Sequence, residues 1–391
     1  MEQFAANSPG VSSRRLMVLS HAGFILTGVM TILIGPLLPE FSARWSLSDA
    51  QAGNLFTTQF IGSMLGVVLS GVITARRGFK LAIAPGFGMM GLAAMILVSC
   101  SWSGGLFSLF CNGIGLGLVI PTTNLLVADA NPGRPSAALN LLNFSWGIGA
   151  AVCPFVVARF VRSGGVTLLL VGLAVVAALL MAIFAFGPSW GHHVKLPEAA
   201  RAPVNVWSKR LIFSLGALFF LYVGTESSIG GWVASYAKRM SVSPGVFWIV
   251  SPSFFWGALL IGRAVAPAML RWASDLKVAR FGLVLALCGV GVLLESNTTA
   301  AIAVAAGLAG FGLAPIYPIT IAMLSSEFGA SSSRIASVMF ALAGLGGATL
   351  PWLVGLISTW FGSLKVGLFV PLLATSIMVV LYFGGQRTLR K

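Results

Sequence analysis

Twelve long apolar runs follow one another along this 391-residue chain, and they constrain its fold more than any other feature. Each run has about 20 residues, the length that a helix needs to cross the hydrocarbon core of a bilayer. Only 8% of the residues are charged, whereas a soluble domain carries roughly 25%. The sequence therefore predicts an all-α integral membrane protein with twelve transmembrane helices, at about residues 16–39, 50–74, 80–100, 104–128, 136–159, 166–187, 211–237, 246–270, 278–295, 299–325, 334–360 and 365–384.

A longer polar connector divides the runs into two groups of six. It predicts an N-terminal six-helix bundle at residues 1–187, a cytoplasmic linker at 188–210 and a C-terminal six-helix bundle at 211–391. The stretch Gly147–Pro154 resembles Gly344–Pro351, and the matching glycines and prolines are each 197 residues apart. Two pseudo-symmetric halves of this kind are typical of transporters that rock around a site near the middle of the membrane.

The basic residues predict the orientation of the chain. With both termini in the cytoplasm, seventeen Lys and Arg residues fall in inside loops and six in outside loops, which satisfies the positive-inside rule. Because the basic residues lie in short loops between spans, they do not indicate a nucleic-acid partner. We expect a multi-pass protein of a bacterial inner (plasma) membrane that is a monomer, with membrane lipid and a small-molecule substrate as its partners.

Glu226 is the only acidic residue that lies well inside an apolar run. A charged group at that depth is costly, so it is either functional or closely satisfied. The hydroxyl groups of Ser227 and Ser228 could satisfy it as a purely structural residue. The functional interpretation is a carboxyl that takes up a proton or helps to bind a cation during transport. The surrounding stretch Gly224–Trp232 is rich in glycine, which permits either close helix packing or local unwinding.

Arg263 is the basic residue that lies within a span, and it is a candidate partner of Glu226. From the predicted span ends, Glu226 lies about 16 Å and Arg263 about 25 Å below the outer surface, at 1.5 Å per residue. The depths differ by about 9 Å, so a permanent ion pair is not expected. Arg263 would reach toward the cytoplasm, pair with Glu226 in one conformation only, or have a packing role. We expect no cofactor; the coupling ion would be a proton, with sodium left open.

The loop Gly71–Lys80 carries a resemblance to a known family. It is similar to the G-x-x-x-D-R-x-G-[RK]-[RK] signature of the major facilitator superfamily, although Ala75 replaces the usual Asp and Phe79 replaces a basic residue. Over nearly its whole length the chain resembles these transporters, and within them the fucose permease-like branch of sugar:proton symporters. The stretches that carry this second resemblance are Tyr222–Trp232, Ile261–Arg263, Pro315–Pro318 and Ala138–Asn143.

The resemblance implies symport of a sugar by alternating access. In the fucose permease-like branch, acidic residues on spans one and four serve proton coupling and gating. The matching stretches here, Gly35–Pro39 and Ile120–Asn124, hold no acid. If transport is ion-coupled, the coupling role therefore moves to Glu226, with Arg263 as the second candidate.

Neutral amides and aromatic rings form the predicted substrate site. Asn143 occupies the place where the fucose permease-like branch has a sugar-binding amide, and Asn124 follows the break at Pro121. Aromatic faces beside amides suit a sugar ring with its C–H faces and hydroxyl rim. The candidates for substrate binding are the amides Asn143, Asn124, Gln59 and Asn54 and the aromatic residues Trp146, Tyr222, Trp232, Trp256 and Tyr317.

Two other functions are compatible with the sequence. The 13 methionines and 27 phenylalanines fit a proton-coupled exporter of drugs or other amphipathic compounds, and a non-transporting membrane sensor could use the same fold. An enzyme is not predicted, because the sequence shows no nucleotide-binding loop, nucleophile elbow or metal-ligand spacing.

Overall fold

The computed structural model describes residues 11–187, 209–241, 245, 247–328 and 332–384. Twelve helical segments in this part of the chain are long and apolar enough to cross a membrane, which confirms the predicted number. The helices are α1 (Val11–Ile32), α2 (Ile34–Trp45), α3 (Asp49–Arg77), α4 (Lys80–Ser99), α5 (Trp102–Ala130), α6 (Pro135–Arg162), α7 (Val166–Phe186), α8 (Lys209–Met240), α9 (Phe247–Met269), α10 (Asp275–Glu295), α11 (Thr299–Leu313), α12 (Ile316–Phe328), α13 (Ser332–Phe361), α14 (Leu364–Gly367) and α15 (Phe369–Gly384).

Spans one and ten are each made of two helices. Span one changes from α1 to α2 at Leu33, and span ten changes from α11 to α12 at Ala314 and Pro315. Pro36 follows the first break and Pro318 the second. A proline has no N–H for the helix and its ring clashes with the carbonyl four residues earlier. These breaks place irregular backbone inside the bundle, where neighbouring helices cover it.

The two halves use equivalent glycines to pack equivalent helices. Gly149 of α6 lies against the Ile25 carbonyl of α1 so closely that a Cβ atom would clash with it. Gly346 of α13, which is 197 residues later, lies in the same way against the Phe220 carbonyl of α8. Small residues allow such close backbone approach in membranes. The internal repeat read from the sequence therefore corresponds to matching helix contacts in the two halves.

The halves meet mainly along three helix pairs. Helix α3 packs along α13, α6 along α9, and α2 against α8. According to the predicted orientation, the end of the bundle where α3 begins and α8 ends faces outward, and we call it the outer end. The predicted linker lies outside the described residues, apart from Lys209 and Arg210 at the start of α8.

Candidate functional site

A central cavity of about 190 Å³ lies between the two halves. Its walls come from α1, α2, α3 and α6 of the N-terminal half and from α8 and α9 of the C-terminal half. Four of the thirteen lining residues are aromatic, and Glu226 is the one charged residue in the lining. The lining residues are Thr31, Ile32, Gly35, Phe56, Gln59, Phe60, Trp146, Val223, Glu226, Ser227, Gly230, Gly231 and Trp256.

Glu226 and Arg263 form an ion pair beside this cavity. The Arg263 Nη2 atom lies 3.4 Å from Glu226 Oε1 and donates to the Tyr222 hydroxyl at 3.3 Å. Tyr222 precedes Glu226 by one turn of α8, so both side chains lie on the same face of the helix. The side chain of Glu226 is 11% exposed and that of Arg263 is 30% exposed. One carboxylate thus faces the cavity and a counter-ion at the same time.

The predicted separation of Glu226 and Arg263 in depth is wrong. Helix α8 continues to Met240, 14 residues after Glu226, and α9 begins at Phe247, 16 residues before Arg263. At 1.5 Å per residue the two Cα atoms lie about 21 Å and 24 Å from the outer helix ends. The depths therefore differ by about 3 Å, a gap that a long arginine side chain spans easily. The error came from the hydropathy-based span ends.

Tyr222 and Tyr317 lie next to the ion pair rather than among the residues that line the cavity. Their rings are 5.4 Å apart, and the Tyr317 ring also packs against Phe219 at 5.6 Å. Tyr222 is 2% exposed. Of these two predicted substrate residues, Tyr222 therefore contacts Arg263 and Tyr317 packs against Tyr222, and neither lines the cavity in the described conformation.

The four predicted amides divide into separate groups. Gln59 lines the cavity, where its Nε2 donates to the Thr31 carbonyl at 3.1 Å and its Oε1 accepts from Asn112 at 2.9 Å. Asn143 donates to Asn124 Oδ1 at 3.3 Å. Asn143, Asn124 and Asn54 are not among the residues that line the central cavity.

The three predicted tryptophans have different roles in the described structure. Trp146 and Trp256 line the cavity from opposite halves, with their rings 5.9 Å apart in an edge-to-face arrangement. The Trp256 Nε1 atom is buried and has no hydrogen-bond partner among the described residues. Trp232 is buried behind the wall, where its Nε1 donates to the Pro351 carbonyl at 2.8 Å and its ring packs against Phe56 at 5.9 Å.

The glycines near Glu226 serve close packing, one of the two roles that the sequence allowed. Helix α8 is continuous from Lys209 to Met240, so this stretch is not unwound. A Cβ atom on Gly231 would lie 2.6 Å from the Phe56 ring, and one on Gly35 would lie 2.8 Å from the Gly230 carbonyl. Helices α2, α3 and α8 therefore approach each other directly above the cavity.

The sequence interpretation missed several residues of the cavity wall. Thr31 is not among the predicted site residues, although its hydroxyl accepts from Trp146 Nε1 at 3.4 Å. Phe56 and Phe60 share one face of α3 with Gln59, and this helical spacing was an available signal. Apolar residues of this kind occur on lipid-facing, core and cavity-lining surfaces alike. Composition alone therefore does not identify those that line the cavity.

Comparison with known proteins identifies the family. A model of the Major Facilitator Superfamily matches residues 21–301. A glucose/galactose transporter of Brucella abortus is 24% identical over 367 residues, which cover 87% of this chain and 86% of the relative.

Solved structures share the fold along the whole chain. The nucleoside transporter NupG matches with a TM-score of 0.77 and 14% identity, over 97% of this chain and 100% of that one. The E. coli fucose:proton symporter FucP matches with a TM-score of 0.62 and 16% identity, over 96% of this chain and 100% of that one. At these identities the structural matches establish the fold.

Proposed function

The chain belongs to the major facilitator superfamily, and from this membership we propose that it moves a small polar solute, with a sugar as the first candidate, by proton-coupled alternating access. Membership makes it a multi-pass membrane transporter rather than an enzyme. The further proposal concerns the solute and its coupling. It assigns the proton to Glu226 and the contacts with the solute to residues of the central cavity.

The position of Glu226 carries the coupling proposal. Its carboxylate lines the central cavity and also lies 3.4 Å from Arg263. Protonation would remove the charge that holds Arg263, whereas loss of the proton would restore the pair. A carboxyl that binds either a proton or a counter-ion, in a site between the two halves, can link its protonation state to the relative position of the halves.

The walls of the cavity support a ring-shaped polar solute. Trp146 and Trp256 face each other from opposite halves, and Gln59 and Thr31 lie beside them. Aromatic faces and a few fixed polar groups form many small-molecule sites. The names of two related proteins, a glucose/galactose transporter and a fucose:proton symporter, make hexoses the first solutes to examine.

The decisive experiment compares accumulation with exchange in proteoliposomes. Labelled glucose, galactose and fucose are first examined for uptake driven by an imposed pH gradient. We expect the Glu226→Gln variant to lose gradient-driven accumulation and to retain part of the exchange of labelled for unlabelled solute. Exchange does not require net proton movement, so the two activities separate a coupling role from a binding role.

The matched control is Glu295→Gln. Glu295 pairs with Lys365 within the C-terminal half, and its side chain is 79% exposed, so its charge lies far from the cavity wall. We expect this variant to accumulate solute as the parent protein does. Gradient-driven accumulation by Glu226→Gln at the parent level would contradict the coupling proposal.

The cavity also gives one specific reason to consider export of amphipathic cations. Phe56, Phe60, Trp146 and Trp256 surround a wall that carries one carboxylate, and aromatic faces attract organic cations. Cells that express the protein should then extrude cationic dyes and gain resistance to them. A sugar symporter should do neither, so an efflux assay separates the two functions.

A further inference from the structure

A cluster of polar contacts at the outer end joins the two halves. The carboxylate of Asp49, at the start of α3, accepts from both terminal nitrogens of Arg239 at 2.9 and 2.5 Å. It also accepts from the Ser358 hydroxyl at 2.5 Å. Arg239 lies at the end of α8 and Ser358 on α13. One carboxylate of the N-terminal half thus contacts two helices of the C-terminal half. Its contact with Arg239 is bidentate, the geometry in which arginine–carboxylate pairs are strong.

Neighbouring contacts strengthen this connection. The backbone N–H of Ala50 donates to the Thr359 hydroxyl at 2.8 Å, again between α3 and α13. Lys238 lies 3.4 Å from Glu40, between α8 and α2. We call these seven residues the outer latch: Asp49, Ala50, Glu40, Arg239, Lys238, Ser358 and Thr359.

The backbone around Asp49 holds its carboxylate in place. Ser48 and Gln51 form a reciprocal capping pair at the start of α3, and Asp49 lies in the first turn. A negative charge is favoured there by the helix dipole. The side chain of Asp49 is 14% exposed, whereas that of Arg239 is 44% exposed. The carboxylate is therefore the fixed and shielded member of the pair.

The described ion pairs between the halves lie at the outer end. Among the described side chains, the pairs that join the two halves are Asp49–Arg239 and Glu40–Lys238, and both lie at the outer end. The pairs Glu226–Arg263 and Glu295–Lys365 lie within the C-terminal half. In the signature loop at the opposite end, Ala75 occupies the place where the resembled family has an Asp.

Close apolar contacts extend from the outer latch to the wall of the cavity. A Cβ atom on Gly231 would lie 2.6 Å from the Phe56 ring, and one on Gly53 would lie 2.9 Å from the Trp352 Cα atom. Gly355 approaches the Asp49 carbonyl even more closely. We call Gly53, Phe56, Gly231, Trp352 and Gly355 the apolar seal. The two halves cannot separate at the outer end without breaking both the seal and the latch.

We infer that Asp49 is the gating residue of the outer entrance, and that its contacts with Arg239 and Ser358 hold this entrance closed. Opening must break a two-pronged charged contact and two hydroxyl contacts before the apolar seal can part. Because these contacts join the two halves only while the outer end is closed, the latch favours the outward-closed state. The inference rests on the alternating access in the proposed function, but it requires no particular solute or coupling ion.

The experiment measures access to the cavity from outside. Ser227, which lines the cavity, is replaced by cysteine as a reporter, and the two cysteines that are not buried, Cys100 and Cys288, are replaced by serine. Intact cells are then treated with a maleimide that does not cross membranes. The Asp49→Asn substitution is expected to increase the labelling rate of the reporter by about tenfold, since hydrogen bonds to charged groups are worth about 1.5–3 kcal/mol.

Two further variants make the result specific. Arg239→Gln should increase labelling to a similar extent, and adding it to Asp49→Asn should produce little further increase, because both substitutions remove the same contact. Glu295→Gln removes an ion pair that lies within one half, and it should leave the labelling rate unchanged. Arg239→Gln also serves if Asp49→Asn fails to fold.

The outcomes separate this inference from the proposed function. Equal labelling of the reporter with and without the latch substitutions, in folded protein at matched expression, would overturn the inference. The same increase with Glu295→Gln would overturn it as well, because any loss of charge at the outer end would then suffice. Failure of hexose accumulation would contradict the proposed function alone, since labelling needs no solute.

Discussion

Replacing Arg263 with methionine should destabilise the protein to a degree that depends on the protonation of Glu226. Methionine keeps most of the apolar stem and removes the guanidinium. Two unit charges at the observed 3.4 Å interact by about 5 kcal/mol at an effective dielectric constant of about 20. Removing one partner of a buried pair typically costs about 3–5 kcal/mol, because the other charge stays buried. Tyr222 also loses the donor that lies 3.3 Å from its hydroxyl.

The sign of the pH dependence follows from the charge of Glu226. A protonated carboxyl is neutral and needs no counter-ion, so the deficit of Arg263→Met should shrink in acidic buffer and grow in alkaline buffer. The double variant Arg263→Met/Glu226→Gln leaves no unpaired charge and should recover most of the loss. The control Lys365→Met removes a pair whose acidic partner, Glu295, is 79% exposed, and exposed pairs contribute only about 0–1 kcal/mol.

The assay is the apparent melting temperature of purified protein in detergent, across buffers from mildly acidic to mildly alkaline. Four proteins are compared with the parent at equal detergent concentration: both Arg263→Met variants, Glu226→Gln and Lys365→Met. A deficit of the same size at every pH, unrelieved in the double variant, would show that Arg263 stabilises the fold by packing alone. The coupling between the two residues would then be refuted.

Two predictions concern packing within the halves. Gly346→Ala should lower the free energy of unfolding by about 1–3 kcal/mol, because its Cβ would clash with the Phe220 carbonyl. Gly291→Ala should not lower it, because its Cβ would meet open space and alanine is the better helix former. Equal melting temperatures of the two variants would contradict this. Asn112→Leu should cost about 1–3 kcal/mol in the same assay, because Gln59 Oε1 loses its donor at 2.9 Å; an unchanged melting temperature would show that Gln59 finds another donor.

The architecture could be predicted from sequence because the bilayer imposes simple rules on it. In lipid, a single segment satisfies its backbone hydrogen bonds by forming a helix. The length of the apolar runs was therefore enough to locate the spans. The repeat was visible because close packing at Gly149 and Gly346 tolerates no side chain. Glu226 stood out because a carboxylate in an apolar run is expensive. In each case the physical constraint acts on one segment or one position, so it can be read without knowing how the helices pack.

The composition of the site could not be predicted in the same way, because it depends on where several helices end and how they rotate. Hydropathy predicts the ends of spans only to within a few residues. Helix α8 extends three residues beyond its predicted outer end, and this brings Glu226 close to the depth of Arg263. Asn143 was selected by its place in the chain, yet it contacts Asn124 away from the central cavity. Phe56 and Phe60 line the cavity because of the rotation of α3 about its axis, which composition does not reveal.

Helix α8 connects the features that the proposals assign to transport. Glu226 faces the cavity, Gly231 lies one to two turns later in the apolar seal, and Arg239 closes the outer latch. Glu226 and Arg239 are 13 residues apart on one continuous helix, which is about 20 Å along its axis. A tilt of this helix moves the three residues together, because the described helix has no break between them. Protonation at Glu226 and opening at Arg239 can therefore be coupled by one rigid element, without any contact between the two residues.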